Sequence, residues 1–166
     1  MSLLLQILDN LITFFYPTGD IQSMRGTPTK KFKRSLQMDA YSCGAHATLM
    51  ALHHFKQTDL TIKDVKYMTQ TDKQGTGEEP IISCLRSRGL IAFKLRRLTI
   101  PRMRVLLGRG HILITEVDGD HYCVVHGIDD EYVYLADPAV LRSASRQTPL
   151  REFAARKDGA GIAVRR

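Results

Sequence analysis

The sequence predicts an α+β fold, a helical first half followed by a mainly antiparallel sheet, on three observations. Helix-capping signals and 3.6-residue apolar spacing are concentrated between Ser35 and Gly89. From Leu90 onward the pattern changes to short β-branched and aromatic runs bounded by Gly and Asp turns. The chain has 166 residues, 43% hydrophobic and 25% charged, which suits one domain with a real core and excludes collagen-like, low-complexity and disordered classes.

In chain order, Leu4, Leu8, Leu11 and Phe15 follow helical spacing, so 1–20 is expected to be an amphipathic helix ended by Pro17 and Gly19. It is interrupted by Gln6, Asp9 and Asn10 and lacks a basic n-region, so it is read as a helix contacting a partner chain or a membrane surface rather than as a span or signal peptide. Residues 21–34 are polar and basic and read as a linker or arm; 35–166 form the domain. Ser42 is an expected N-cap, after which Ala47, Met50, Ala51 and His54 fall on helical spacing, placing Cys43 in a first helical turn. Thr61 with Asp64, and Thr76 with Glu79, are capping-box patterns that open two further helices, the second closed by Gly89. Then follow a strand over Leu90–Arg97, a short helix over Pro101–Leu107, and the strand runs HILITEV, HYCVVHGI and YVYLAD. Leu150–Arg156 is a last short helix and Gly161–Val164 a last strand.

Lys plus Arg number 24 against 17 Asp plus Glu, a net charge of +7 that favours an acidic partner without naming one. The three cysteines, Cys43, Cys84 and Cys123, show no CxxC spacing, so neither a disulfide framework nor a zinc cluster is indicated and a reducing, cytoplasmic setting fits. No metal or cofactor is expected: His46, His53, His54, His111 and His126 come without HExxH or an acidic cluster, and no GxxxxGK[ST] loop is present. The basic run Arg86–Arg104 interleaves with apolar residues as a solvated strand and helix would, and no nucleic-acid partner is expected.

One constellation carries chemistry. A cysteine nucleophile needs a stabilised thiolate, a base, a group that orients the base, and donors for an oxyanion. Cys43 at a helix N-terminus feels the positive end of the helix dipole, which favours the thiolate. His121 opens one strand and Asp137 closes another. If the two strands form a hairpin about Asp129 and Asp130, His121 and Asp137 meet at its open end, on one face only if the loop is odd in length, and an odd loop is expected. Gln37 lies six residues before Cys43, where its amide can turn back toward an oxyanion beside the Cys43 N–H. Cys84 and Cys123 sit in apolar periodic segments and are expected in the core, and Asp137 before Pro138 is also a turn former.

The order Gln-x5-Cys, His, Asp resembles that of papain-like cysteine peptidases. More closely, QMDAYSCGAHATLMAL, HYCVVHGID and VYLADP resemble the bacteriocin-processing cysteine peptidases, which cleave leader peptides after a double glycine and precede many peptide-exporting ABC transporters. The resemblance runs from about Leu36 to Val164. It implies a papain-like fold, a helical lobe facing a sheet lobe, with Cys43, His121 and Asp137 as catalytic triad and Gln37 in the oxyanion hole. It further implies a peptide substrate carrying a Gly-Gly leader. With no transmembrane region and no ATPase motif, the sequence is read as a stand-alone peptidase domain or one excised from a larger protein, with a separate ABC exporter as the expected partner. Two departures are Ser42, where the family often has an acidic residue, and the lack of Trp after Phe153. The alternatives are a deamidase or amidase using the same triad, and a docking module in which Cys43 is vestigial.

Overall fold

The computed structural model describes residues 32–139 and 147–166; the expected N-terminal helix, 1–20, lies outside them. Of the expected linker, 21–34, Phe32, Lys33 and Arg34 are described. Phe32 is stacked between the rings of His54 and His126, centroids 5.1 and 4.6 Å away.

The first helix, α1, spans Cys43–His54, and α2 spans Ile62–Met68. The Thr61–Asp64 capping box forms as the sequence predicts, each side chain meeting the other's backbone N–H. The other two cap expectations fail locally. Ser42 makes no side-chain cap bond; instead the Asp39 carboxylate accepts from the N–H groups of Tyr41 and Ser42, at 3.1 and 2.8 Å. Asp39 thus closes the loop that leads into the helix, and Lys66 on α2 neutralises it at 2.7 Å. The third helix, α3, spans Glu78–Ser87 with Gly77 as its N-cap, so Thr76 lies one residue too early for a box, and its hydroxyl pairs with Thr71 at 2.8 Å. Gly89, at φ +75°, follows α3 in the left-handed conformation that stops it.

Strands β1 (Ile91–Leu95), β2 (Ile112–Val117), β3 (His121–Ile128), β4 (Tyr132–Ala136), β5 (Gln147–Pro149) and β6 (Lys157–Arg165) form one sheet in the order β1-β6-β2-β3-β4-β5, every neighbour antiparallel. Helix α4 (Ile100–Gly108) joins β1 to β2 and α5 (Leu150–Arg156) joins β5 to β6. The last strand therefore inserts between β1 and β2 rather than adding at an edge, and it is longer than the four residues expected from Gly161–Val164.

Both faces of the sheet are covered. On one, α1 and α3 place Met50, Leu52, Ile81 and Leu85 against Ile114, Val124, Ile162 and Val164. On the other, Met103 and Leu107 of α4 and Phe153 of α5 lie against Leu113, Val125, Val133 and Ala163. Two-sided burial is why β2 and β3 read as nearly unbroken apolar runs rather than as alternating strands. The helical lobe predicted for the first half is present as α1–α3, and α4 and α5 add a layer behind the sheet.

Where β6 crosses β2, Gly161 is fixed by space: a Cβ there would lie 2.8 Å from Leu98 Cδ2 and 3.0 Å from the Ile114 carbonyl oxygen. Gly159 has nothing within 4 Å of the same position. Gly161→Ala is accordingly expected to lower stability by about 1–3 kcal/mol, as overpacking does, while Gly159→Ala stays within about 0.5 kcal/mol. Thermal unfolding followed by circular dichroism checks this; equal melting temperatures for the two variants would contradict the packing described.

Candidate active site

Cys43 is the first residue of α1 and is buried, with Sγ 3.9 Å from the Asp120 carbonyl oxygen. The next residue must be small. A Cβ on Gly44 would lie 2.7 Å from Thr76 Cβ and 3.1 Å from Tyr122 Cδ2, so glycine lets the start of α1 approach both the α2–α3 loop and β3. Burial pushes the Cys43 thiol up, but a hydrogen bond with His121, the backbone N–H of Tyr122, the imidazolium charge and the Gly44 N–H outweigh it. The net result is a thiol below its ordinary value.

His121 and Asp137 meet: Nε2 of the imidazole is 2.7 Å from Oδ1 of the carboxylate. The strand ends leave three residues, 129–131, between them, the odd loop that the sequence predicts, but the pairing next to the turn has the other parity. Ile128 pairs with Val133, leaving the four residues Asp129 to Tyr132 between them, an even number that would put Asp137 opposite Val124 and on the wrong face. The register then shifts by one between Val125 and Gly127, with His126 as the extra residue, so that Val125 faces Leu135 and Val124 faces Ala136. Extending that register sets Cys123 opposite Asp137, and His121, two residues further, shares their face. A β-bulge supplies the parity that the pairing next to the turn lacks.

With Nε2 on Asp137, the other ring nitrogen, Nδ1, is left for the thiol. Burial pulls His121 down, yet its hydrogen bonds to Asp137 and Cys43 and the charges of both raise it to about 9. The Asp137 carboxylate is fixed from its own side as well, since Oδ1 also accepts from the Ala139 N–H at 2.8 Å.

Gln37 is buried and its main chain is laid against the Asp137 turn: its N–H donates to the Pro138 carbonyl at 2.8 Å, and it forms a parallel bridge with Ala139. Its Nε2 donates to the Asp39 carbonyl at 2.7 Å, which uses one of the two amide hydrogens, and its buried Oε1 has no protein partner. The structure thus pairs His121 with Asp137, sets Cys43 within electrostatic reach of His121, and ties Gln37 to the Asp137 turn through the backbone.

A cavity of about 430 Å³ opens at Cys43, with Gly75 and Thr76 on one wall and Gly119, Asp120 and Tyr122 on the other. A larger cavity, about 570 Å³, lies on the α4–α5 face, with Cys123, Leu135, Phe153 and Asp137 in its walls. Cys43 lines the first and not the second.

The remaining candidates have structural surroundings. Cys84 is in the core under α3 with its thiol pushed up by burial, Cys123 is buried on the opposite face, and none of the three cysteines is in a disulfide. His46 Nδ1 is 2.8 Å from Ser35 Oγ, and His111 Nδ1 is 3.1 Å from the Leu106 carbonyl. Among the described residues no cluster of His, Cys, Asp or Glu has the form of a metal site. In the basic run, Arg88 pairs with Asp59, Lys94 with Glu78 and Arg104 with Asp130.

Two residues at the site went unread in the sequence. Asp39, held well below the carboxylate range against its own burial by Lys66 and the Ser42 and Tyr41 hydrogen bonds, shapes the loop before Cys43. Arg34 donates through Nε to the Asp137 carbonyl and through a terminal nitrogen to the Ala139 carbonyl at 2.6 Å. The Asx-turn signal of Asp39 was available in the sequence; Arg34 stood in a run of basic residues with no feature to single it out.

Comparison with known proteins places this geometry. The Peptidase C39 family model matches residues 31–159. An uncharacterized protein of Methanothermobacter marburgensis is 31% identical over 112 residues, covering 67% of this chain and 75% of its own. Among solved structures, a double glycine motif protease from an AMS/PCAT transporter, in complex with the leader peptide, superposes with a TM-score of 0.69 at 23% identity, covering 83% of this chain and 94% of that one. The peptidase domain of Streptococcus ComA, a bi-functional ABC transporter of a quorum-sensing pathway, gives 0.66 at 18% identity, covering 81% and 98%. A C39-like peptidase from Bacillus anthracis gives 0.61 at 11%, covering 84% and 96%. With the motifs, the fold and a family model over most of its length in agreement, the chain belongs to the Peptidase C39 family of cysteine peptidases.

Proposed function

We propose that the chain is an endopeptidase that removes leader peptides after a Gly-Gly motif, using Cys43, His121 and Asp137 as its triad and Gln37 in the oxyanion hole. The observation that carries this reading is the His121–Asp137 pair at 2.7 Å beside Cys43, whose thiol His121 lowers, at the N-terminus of α1. The resting pair is a Cys43 thiolate and a His121 imidazolium, favoured because each group shifts toward its charged form beside the other. The thiolate attacks the scissile carbonyl, and the oxyanion is held by the Cys43 N–H and the second hydrogen of the Gln37 amide. His121 Nδ1 gives its proton to the leaving amine and then takes one from the water that hydrolyses the thioester. Asp137 keeps the ring aimed and its charge compensated throughout.

One comparison supports glycines before the scissile bond: a structural neighbour is a double glycine motif protease with its leader peptide bound. ComA is a bi-functional ABC transporter and the matched structure is its peptidase domain, and by that likeness the partner here is a peptide exporter. No helix among the described residues is long and apolar enough to cross a membrane. The net charge of +7 suits an acidic leader helix.

Incubation with Gly-Gly leader peptides, read by mass spectrometry, is expected to give one cut after the second glycine. Cys43→Ala should abolish it, and Gln37→Ala should lower kcat by about 10²–10³-fold, the usual effect of losing one oxyanion donor. Failure of the folded wild type to cut any such peptide, with release of ammonia from glutamine substrates instead, would favour the deamidase alternative.

The pH dependence follows from the two shifts. On the alkaline side kcat/KM should fall through about 9 as His121 loses the proton it must donate. On the acid side it should fall below the ordinary thiol value, as the thiolate is protonated. Alkylation of Cys43 by iodoacetamide should share the acid limb but not the alkaline one, since it needs the thiolate and no proton donor. A single ascending limb in peptide cleavage, rising through the ordinary thiol value, would contradict the ion pair.

A further inference from the structure

Asp137 directly follows β4, and its turn, 137–139, continues into residues outside those described. The carboxylate that aims His121 therefore depends on how this turn is held beyond the ladder. Among the described residues three sets of bonds hold it. One is its own, from the Ala139 N–H to Asp137 Oδ1 at 2.8 Å. The second is the Gln37 N–H on the Pro138 carbonyl at 2.8 Å. The third is Arg34, whose guanidinium reaches the carbonyls of both Asp137 and Ala139, at either end of the turn. A planar guanidinium with donors in a fixed fork can span two carbonyls as one rigid piece, which a lysine ammonium on a flexible stem cannot.

Arg34 is itself anchored. Two residues earlier, Phe32 is stacked between His54 of α1 and His126. One residue later, Ser35 Oγ is 2.8 Å from Nδ1 of His46 on α1. His126 is the residue whose insertion brings Asp137 onto the face of His121. The segment that carries Arg34 thus bridges the nucleophile helix, the β3 bulge and the Asp137 turn.

We propose that Arg34 is a positioning residue: by clamping the carbonyls of Asp137 and Ala139 it sets the aim of the Asp137 carboxylate on His121, and through Gln37 in the same segment it keeps the oxyanion donor in register with the triad. This rests on the peptidase reading given above. Arg34 touches no reacting atom. Its effect is transmitted by the turn, and a misplacement of the order of 1 Å in such a group can cost about 10²-fold in rate.

The test compares wild type, Arg34→Ala and Arg34→Lys, each first shown to be folded by circular dichroism. In Arg34→Ala, kcat for a Gly-Gly leader peptide should fall by about 10–10²-fold with KM within about 3-fold, because the peptide-binding surface is untouched. The alkaline limb should move down from about 9 toward the ordinary histidine range, since His121 loses a well-aimed carboxylate. The iodoacetamide inflection of Cys43 should move up for the same reason. Arg34→Lys should recover little of this, and low millimolar guanidinium should restore part of kcat in Arg34→Ala while leaving wild type unchanged. A folded Arg34→Ala with wild-type kcat and wild-type limbs overturns the proposal, as does a variant that loses melting temperature alone. The iodoacetamide arm needs no substrate and separates the two failures. A wild-type Cys43 that ionises at the ordinary thiol value sinks the peptidase reading; a low wild-type inflection unchanged in the Arg34 variants sinks Arg34 alone.

Discussion

The register of the β3–β4 hairpin is the constraint on which the site depends. Side chains alternate across a sheet with a period of two, so a one-residue change in pairing moves Asp137 from the face of His121 to the other. The even separation between Ile128 and Val133 gives the wrong parity, and the extra residue at His126 gives the right one. The 2.7 Å contact between His121 and Asp137, the elevated imidazole and the lowered Cys43 thiol all follow from that insertion. His126 is also half of the aromatic clasp on Phe32, so the bulge is tied to the segment that leads into the nucleophile helix.

The sheet serves this geometry by being rigid at its centre. Helices cover both faces, and β6 closes the gap between β1 and β2 with Gly161 under the Leu98 side chain. His121 opens β3, which has a hydrogen-bonded neighbour on either side, and Cys43 opens a helix whose next three turns are buried. Nucleophile and base are held by packed elements; Asp137 and Gln37, by contrast, stand where strand and loop meet. Their placement depends on hydrogen bonds from neighbouring segments rather than on the core.

This division sets what could be read in the sequence. Long periodic elements were legible: α1, β2, β3 and β4 lie where the apolar patterns put them, and the Thr61–Asp64 cap formed as written. So were the residues that come together at the candidate site, because a cysteine at a helix start, a histidine opening one strand and an aspartate at the end of another are local signals. What was not legible depends on pairing between distant segments. The three-residue β5, QTP, is polar and too short to show a pattern, and the place of β6 between β1 and β2 has no signature along the chain. The bulge left no mark because His126 sits in an apolar run that looks continuous. Ser42 and Thr76 looked like caps by composition, but the Ser42 side chain makes no cap bond and Gly77 took the cap position of α3.

The account stands on an ion pair between Cys43 and His121 that Asp137 sustains. Its most direct measurement is the ultraviolet absorbance of the Cys43 thiolate against pH, taken as the difference from Cys43→Ser so that Cys84 and Cys123 cancel, in the wild type and in Asp137→Asn. The account predicts a wild-type thiolate that forms below the ordinary thiol value and moves upward when the carboxylate is neutralised. A wild-type thiol that titrates at its ordinary value, or one that Asp137→Asn leaves unmoved, would contradict it.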